Sequence, residues 1–159
     1  DKGIELTFDT EIEEEIIACD PDKIERIILN LLSNAIKYTK DGGKIYVNIA
    51  KDDKNIYISV ADNGIGIPEQ KLNTIFERYA QIDNKLTRRF NGSGIGLSLV
   101  KSLVEMHQGQ IYVESKVNEG SRFIIRLPIR QVEDKNKKNT MLTKSKVEKC
   151  NIEFSDIYN

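Results

Sequence analysis

The sequence predicts a two-layer α/β sandwich: a mixed sheet with helices packed on one face. Three observations lead there. Two long segments carry apolar residues at helical spacing, short runs of alternating apolar and polar residues stand around them, and four of those runs form two hairpin-like pairs. Strands and helices alternate without a regular βαβ order, which favours one sheet with a helical layer over a doubly wound fold.

Residues 4–9 (I-E-L-T-F-D) alternate and read as the first strand, and a short run near 15–18 reads as a second. Asp20-Pro21 then opens a helix. Asp caps the free N–H groups, and Pro at the first helical position forfeits no needed hydrogen bond. Ile24, Ile27, Ile28, Leu31, Leu32 and Ala35 give that helix one broad apolar face, and Asp41-Gly42-Gly43 ends it. Strands follow at about 44–50 and 55–62, joined by a charged turn. Ile45, Val47 and Ile49 share a face of the first; Ile56, Ile58, Val60 and, by the same parity, Asp62 share a face of the second. After Pro68 come a short helical stretch around 69–76, a polar segment at 80–93 and a second long helix at about 94–107, closed by Gly109. Strands at about 110–116 and 121–127 complete the sheet, with Phe123, Ile125 and Leu127 on the buried face of the last. From residue 130 the composition turns to Lys and Asn with few apolar side chains, which reads as a polar, flexible tail, 130–159, after a folded unit at 1–129.

With 159 residues, 31% of them charged and a net charge of −1, the chain fits one domain and recruits neither nucleic acid nor a membrane surface through its overall charge. No apolar stretch approaches the ~20 residues that span a bilayer. Cys19, Cys150 and the single His107 have no metal-ligand spacing, so a zinc site is not expected and the two thiols read as free. His107 stands at a helix C-terminus, where partial positive charge is welcome.

Asp62 is the most telling residue. Its parity turns a carboxylate toward the apolar face, where it needs a donor, from a ligand or from backbone amides of the adjoining turn. Gly64 and Gly66 after it allow a sharp turn and close approach of a planar base to the backbone. Asn30 and Asn34, four apart, lie one above the other on the helix face opposite the Ile/Leu stripe, with Lys37 and Tyr38 one turn on. Asn is a poor helix former, and its carboxamide oxygen is a hard, neutral ligand suited to Mg²⁺ beside phosphates. Gly92, Gly94 and Gly96 lead into the second long helix, whose N-terminal N–H groups form a ready phosphate site.

Four motifs thus stand in one order: N-L-L-S-N-A-I-K-Y-T at 30–39, D-N-G-I-G-I at 62–67, F-E-R-Y at 76–79 and G-S-G-I-G-L at 92–97. Together they resemble the catalytic ATP-binding domain of bacterial sensor histidine kinases, within the Bergerat (GHKL) ATPase superfamily. The resemblance runs from about residue 4 to 129 and implies the same two-layer fold. It implies that Asp62 accepts from the adenine amino group, that Asn30 and Asn34 hold Mg²⁺, that Lys37 reaches phosphate and that Tyr38 lies against the nucleotide. Nucleotide contacts are implied also for Gly64, Gly66, Ile67, Gly92, Gly94, Gly96 and Leu97. Residues 80–93, with Lys85, Arg88 and Arg89, resemble the mobile lid over the triphosphate, and Arg88 is the candidate phosphate contact. Phe76-Glu77-Arg78-Tyr79 departs mildly from a box that usually ends in Phe.

In the hydrolytic relatives (gyrase, mismatch-repair and heat-shock chaperone ATPases) a Glu stands where this chain has Asn30. A carboxamide cannot act as a general base, so the chain looks built to hold ATP without hydrolysing it. The implied activity is transfer of the γ-phosphoryl group to a His on an upstream helical dimerisation domain outside this chain, which also supplies the base. His107 lacks the acceptor motif. A response-regulator receiver domain is the implied indirect partner, and the implied location is cytoplasmic, in a parent protein of a kind often anchored in the cell membrane. Two other classes stand beside this one: an autonomous ATPase or serine kinase of the superfamily, against which Asn30 argues, and a degenerate module that binds partners without ATP.

Overall fold

A computed structural model describes residues 2–12, 18–77 and 96–129. The elements are β1 (Glu5–Thr10), α1 (Pro21–Tyr38), β2 (Lys44–Lys51), β3 (Asn55–Asp62), α2 (Glu69–Leu72), α3 (Gly96–Met106), β4 (Gln110–Lys116) and β5 (Gly120–Pro128). The strand expected near 15–18 falls almost wholly outside the described residues, as do 78–95 and 130–159.

The strands form one mixed sheet in the order β1-β2-β3-β5-β4. β1 and β2 are parallel, joined through α1, and the other pairs are antiparallel. Register builds rows across the sheet. Val47, Val60, Phe123 and Val113 make one row, and Ile49, Ile58, Ile125 and Ile111 the next. On this face lie α1, through Ile27, Leu31, Leu32 and Ala35, and α3, through Val100, Leu103 and Val104, all in one apolar cluster with the sheet. Ile125 and Val100 are fully buried, both at 0% exposure. Tyr46 and Tyr112, of opposite strand parity, are exposed on the other face. The predicted sandwich with helices on one face is therefore the observed fold.

The ends of α1 show how the sequence sets its limits. Asp20 is the N-cap, its carboxylate accepting from Asp22 N at 3.1 Å and Lys23 N at 3.4 Å. The C-terminus is set earlier than the glycines suggest. Thr39 turns extended, buries itself and sends both its N–H and its hydroxyl to the Ala35 carbonyl. The Lys2 ammonium, from before β1, reaches the carbonyls of Ile36, Lys37 and Thr39 at 3.1, 3.4 and 3.2 Å. That is a favourable place for a cation.

α3 ends at Met106, and the left-handed residue that closes it is Gln108 (φ 58), not Gly109. His107 differs from its expectation too. Its Nε2 accepts the Asp20 N–H at 3.1 Å while Nδ1 faces the Leu103 carbonyl at 2.8 Å. A carbonyl only accepts, so this pair of bonds needs a neutral ring with its proton on Nδ1. The ring pins the end of α3 to the cap of α1; it does not supply positive charge there.

Candidate functional site: the loop after strand β3

The row at the end of the sheet beyond Val60 is Ile45, Asp62, Ser121 and Ser115. Here the helix-facing side of the sheet turns from apolar to polar, and Asp62 stands in it half-buried. Burial pushes its carboxyl above the usual 3.8, while the N–H groups of Gly64 and Ser121, hydrogen-bonded to it, pull the other way. The Gly64 bond is 2.9 Å. The backbone-amide reading of Asp62 thus holds: two N–H groups reach the carboxylate, and burial nonetheless leaves its carboxyl raised.

The loop from 63 to 67 is held on every side. Asn63 donates its N–H to the Lys44 carbonyl at 3.2 Å and its Oδ1 accepts from Lys44 N at 2.8 Å. Ile65 donates to the Tyr38 carbonyl at 3.2 Å and accepts from Asn118 N at 2.8 Å. Ile67, buried, donates to the Ser115 hydroxyl at 2.7 Å. The glycines have a structural cause that the sequence reading did not foresee. A Cβ on Gly64 would run into the Tyr38 carbonyl, and one on Gly66 (φ +69) into the Lys116 backbone. Their close approach, as built, is to protein backbone.

α1 crosses beside this loop. Asn30 and Asn34 are both half-buried. The Asn30 amide donates to the Arg26 carbonyl at 2.9 Å, which leaves its oxygen directed at the start of α3: a Cβ on Gly96 would stand 3.5 Å from it. The Lys37 ammonium lies 5.2 Å from the centre of the Tyr38 ring. Leu97 is half-buried on the first turn of α3. The structure therefore brings Asn30 on α1 beside the first turn of α3 and, through the Tyr38 carbonyl, the end of α1 against the Asp62 loop, with Asn34 and Lys37 on the helix between them. Arg88, Gly92 and Gly94, with Lys85, Arg89, Arg78 and Tyr79, lie outside the described residues. Phe76 packs edge-on to Phe123, ring centres 6.4 Å apart, so its visible role is to close the core under this end of the sheet.

Three residues of the arrangement went unassigned in the sequence: Asn63 and Thr39, which stand inside two of the motifs, and Ser115, whose signal is strand parity. Ser115 continues the parity of Ile111 and Val113 just as Asp62 continues that of Val60. Among the described residues no cluster of His, Cys, Asp and Glu could hold a metal ion, so a cation here would rest on carboxamides and its ligand's phosphates. Nor is any described helix long and apolar enough to cross a membrane.

Comparison with known proteins agrees with this geometry. Residues 19–131 match the family described as histidine kinase-, DNA gyrase B-, and HSP90-like ATPase. The chain is 36% identical over 127 residues to the circadian input-output histidine kinase CikA of Synechococcus elongatus, covering 79% of this chain and 17% of that protein. It is 43% identical over 137 residues to the autoinducer 2 sensor kinase/phosphatase LuxQ of Vibrio cholerae, covering 84% and 16%. It therefore spans about a sixth of the length of these relatives. Among solved structures, the catalytic domain of histidine kinase ThkA superposes with a TM-score of 0.70 at 29% identity, covering 80% of this chain and 82% of that one. ThkA in complex with the response regulator protein TrrA gives 0.67 at 27% identity, covering 81% and 35%. The chain belongs to the histidine kinase-, DNA gyrase B- and HSP90-like ATPase family, and within it to the ATP-binding catalytic domains of sensor histidine kinases.

Proposed function

We propose that residues 1–129 bind Mg²⁺·ATP between α1, the Asp62 loop and the start of α3, and donate its γ-phosphoryl group to a His on a separate helical dimerisation domain of the parent protein. The observation that carries this reading is Asp62: a half-buried carboxylate, hydrogen-bonded by the backbone N–H groups of Gly64 and Ser121, at the polar end of an apolar sheet face. In this reading it accepts from the adenine amino group, and Gly64, Gly66 and Ile67 form the rigid backbone beside the base. Tyr38 and Leu97 offer apolar surface, Lys37 and Arg88 offer charge to the phosphates, and Gly92, Gly94 and Gly96 present N–H groups.

The donor set on α1 fits a hard cation. Asn30 spends its amide on Arg26, so its oxygen is the group left to face a ligand, with Asn34 one turn along. Bound Mg²⁺ would neutralise phosphate charge, and positioning together with neutralisation is most of what phosphoryl transfer needs. Asn30 cannot take a proton from water, so this chain alone holds ATP without turning it over. Residues 130–159 are a tail outside the module. A response-regulator receiver domain is the indirect partner, a reading supported by ThkA's complex with the response regulator protein TrrA, and the module works in the cytoplasm.

Calorimetric titration with a non-hydrolysable ATP analogue tests the assignment. Asp62→Asn should weaken binding about tenfold or more, the size of one charge-assisted hydrogen bond. Asn34→Ala should flatten the Mg²⁺ dependence. Unchanged affinity in both variants would refute the site. Steady-state phosphate release above background would instead make this an autonomous ATPase.

A further inference from the structure

The row Asp62–Ser121–Ser115 carries a hydrogen-bond logic of its own. The Ser115 hydroxyl accepts from Ile67 N at 2.7 Å and lies 2.9 Å from the Gly120 carbonyl and 2.8 Å from the Ser121 hydroxyl. A hydroxyl has one proton and two lone pairs. The carbonyl can only accept, so the Ser115 proton goes to Gly120. The lone pairs then take the Ile67 N–H and the Ser121 hydroxyl proton. All four groups are satisfied, and the Ser121 hydroxyl, next in the row to Asp62, has no proton left to give. The hairpin around it is rigidly seated, since a Cβ on Gly120 (φ +117) would collide with the Asp62 carbonyl.

We propose that Ser115 is a positioning residue for purine selection: by drawing the Ser121 hydroxyl proton to itself, it keeps the Asp62 carboxylate open to a ligand amino group. This rests on the reading of Asp62 as the adenine acceptor. Without the Ser115 oxygen, the Ser121 proton loses its partner, and Asp62, its neighbour in the row and already bonded by the Ser121 N–H, is a carboxylate that can take it. A carboxylate so occupied offers less to a 6-amino purine and discriminates less against a 6-oxo one.

The test is calorimetric titration of the whole 159-residue chain with non-hydrolysable ATP and GTP analogues between pH 5 and 8. The variants are Ser115→Ala, Ser115→Cys, which keeps the volume but accepts hydrogen bonds poorly, and Ser115→Thr, which keeps the hydroxyl. The expected result is an ATP-over-GTP preference about tenfold smaller in the Ala and Cys variants and near wild type in Thr. The acid limb of ATP binding should also move to lower pH in Ala and Cys, because a new hydroxyl donor stabilises the ionised carboxylate. An unchanged preference, or equal loss of both analogues with no shift of the pH profile, overturns the inference and leaves Ser115 a structural residue. Wild-type chain that binds neither analogue overturns the underlying nucleotide reading instead, and this inference with it.

Discussion

Asp62 is a carboxylate that the fold keeps half-buried at a cost to stability. Its burial raises the carboxyl above 3.8 in the folded chain. The sign follows from linkage: the stability it contributes is complete below 3.8 and is lost as pH rises through the raised folded value. At neutral pH the ionised Asp62 therefore subtracts from stability. Asp62→Asn does not titrate, so the difference in melting temperature between this variant and wild type should shift in favour of the variant from pH 4 to pH 7; a flat difference would contradict the burial argument. Gly66 shows the opposite kind of constraint. With φ +69 and the Lys116 backbone against it, Gly66→Ala should destabilise by about 2–4 kcal/mol in urea unfolding. At this scale the sequence was partly legible. Strand parity put Asp62 on the apolar face correctly. The Ser121 N–H was not legible as its donor, because β5 brings it from far along the chain, and neither was the packing of Gly64 and Gly66 on the Tyr38 and Lys116 backbone.

Elements were read well where the signal is local. Asp20-Pro21 marked the start of α1, and alternation marked β2 to β5 to within a residue or so. Ends fixed by distant groups were read less well. The C-terminus of α1 depends on Thr39 and on Lys2 from across β1, and the close of α3 lies at Gln108, with His107 bonded to the cap of the other helix. His107→Ala should leave the Asp20 N–H without its acceptor and cost about 1–3 kcal/mol of stability. Nucleotide affinity should be unaffected, since the ring sits at the far end of both helices from the Asp62 loop. Urea denaturation and calorimetry on the same variant separate these two effects.

For the whole molecule, the hairpins β2–β3 and β4–β5 were legible from short polar turns, and the layer arrangement from apolar faces. The strand order was not. Placing β5 between β3 and β4, and β1 parallel to β2, depends on which apolar rows meet, and short strands of similar composition do not encode that locally. The order aligns Asp62, Ser121 and Ser115 in one row at one end of the sheet, where the following loop meets the end of α1 at Tyr38. Ile125, central to the next apolar rows and fully buried, should cost about 2–5 kcal/mol when cut to Ala, read by thermal or urea unfolding.

The central claim is an adenine-nucleotide site that uses Mg²⁺ and does not hydrolyse. It is tested most directly by calorimetric titration of the unaltered chain with a non-hydrolysable ATP analogue, with and without Mg²⁺, beside the GTP analogue. The account predicts Mg²⁺-dependent binding of the ATP analogue and rejection of the GTP analogue. Equal binding of both, or none of either, would contradict it.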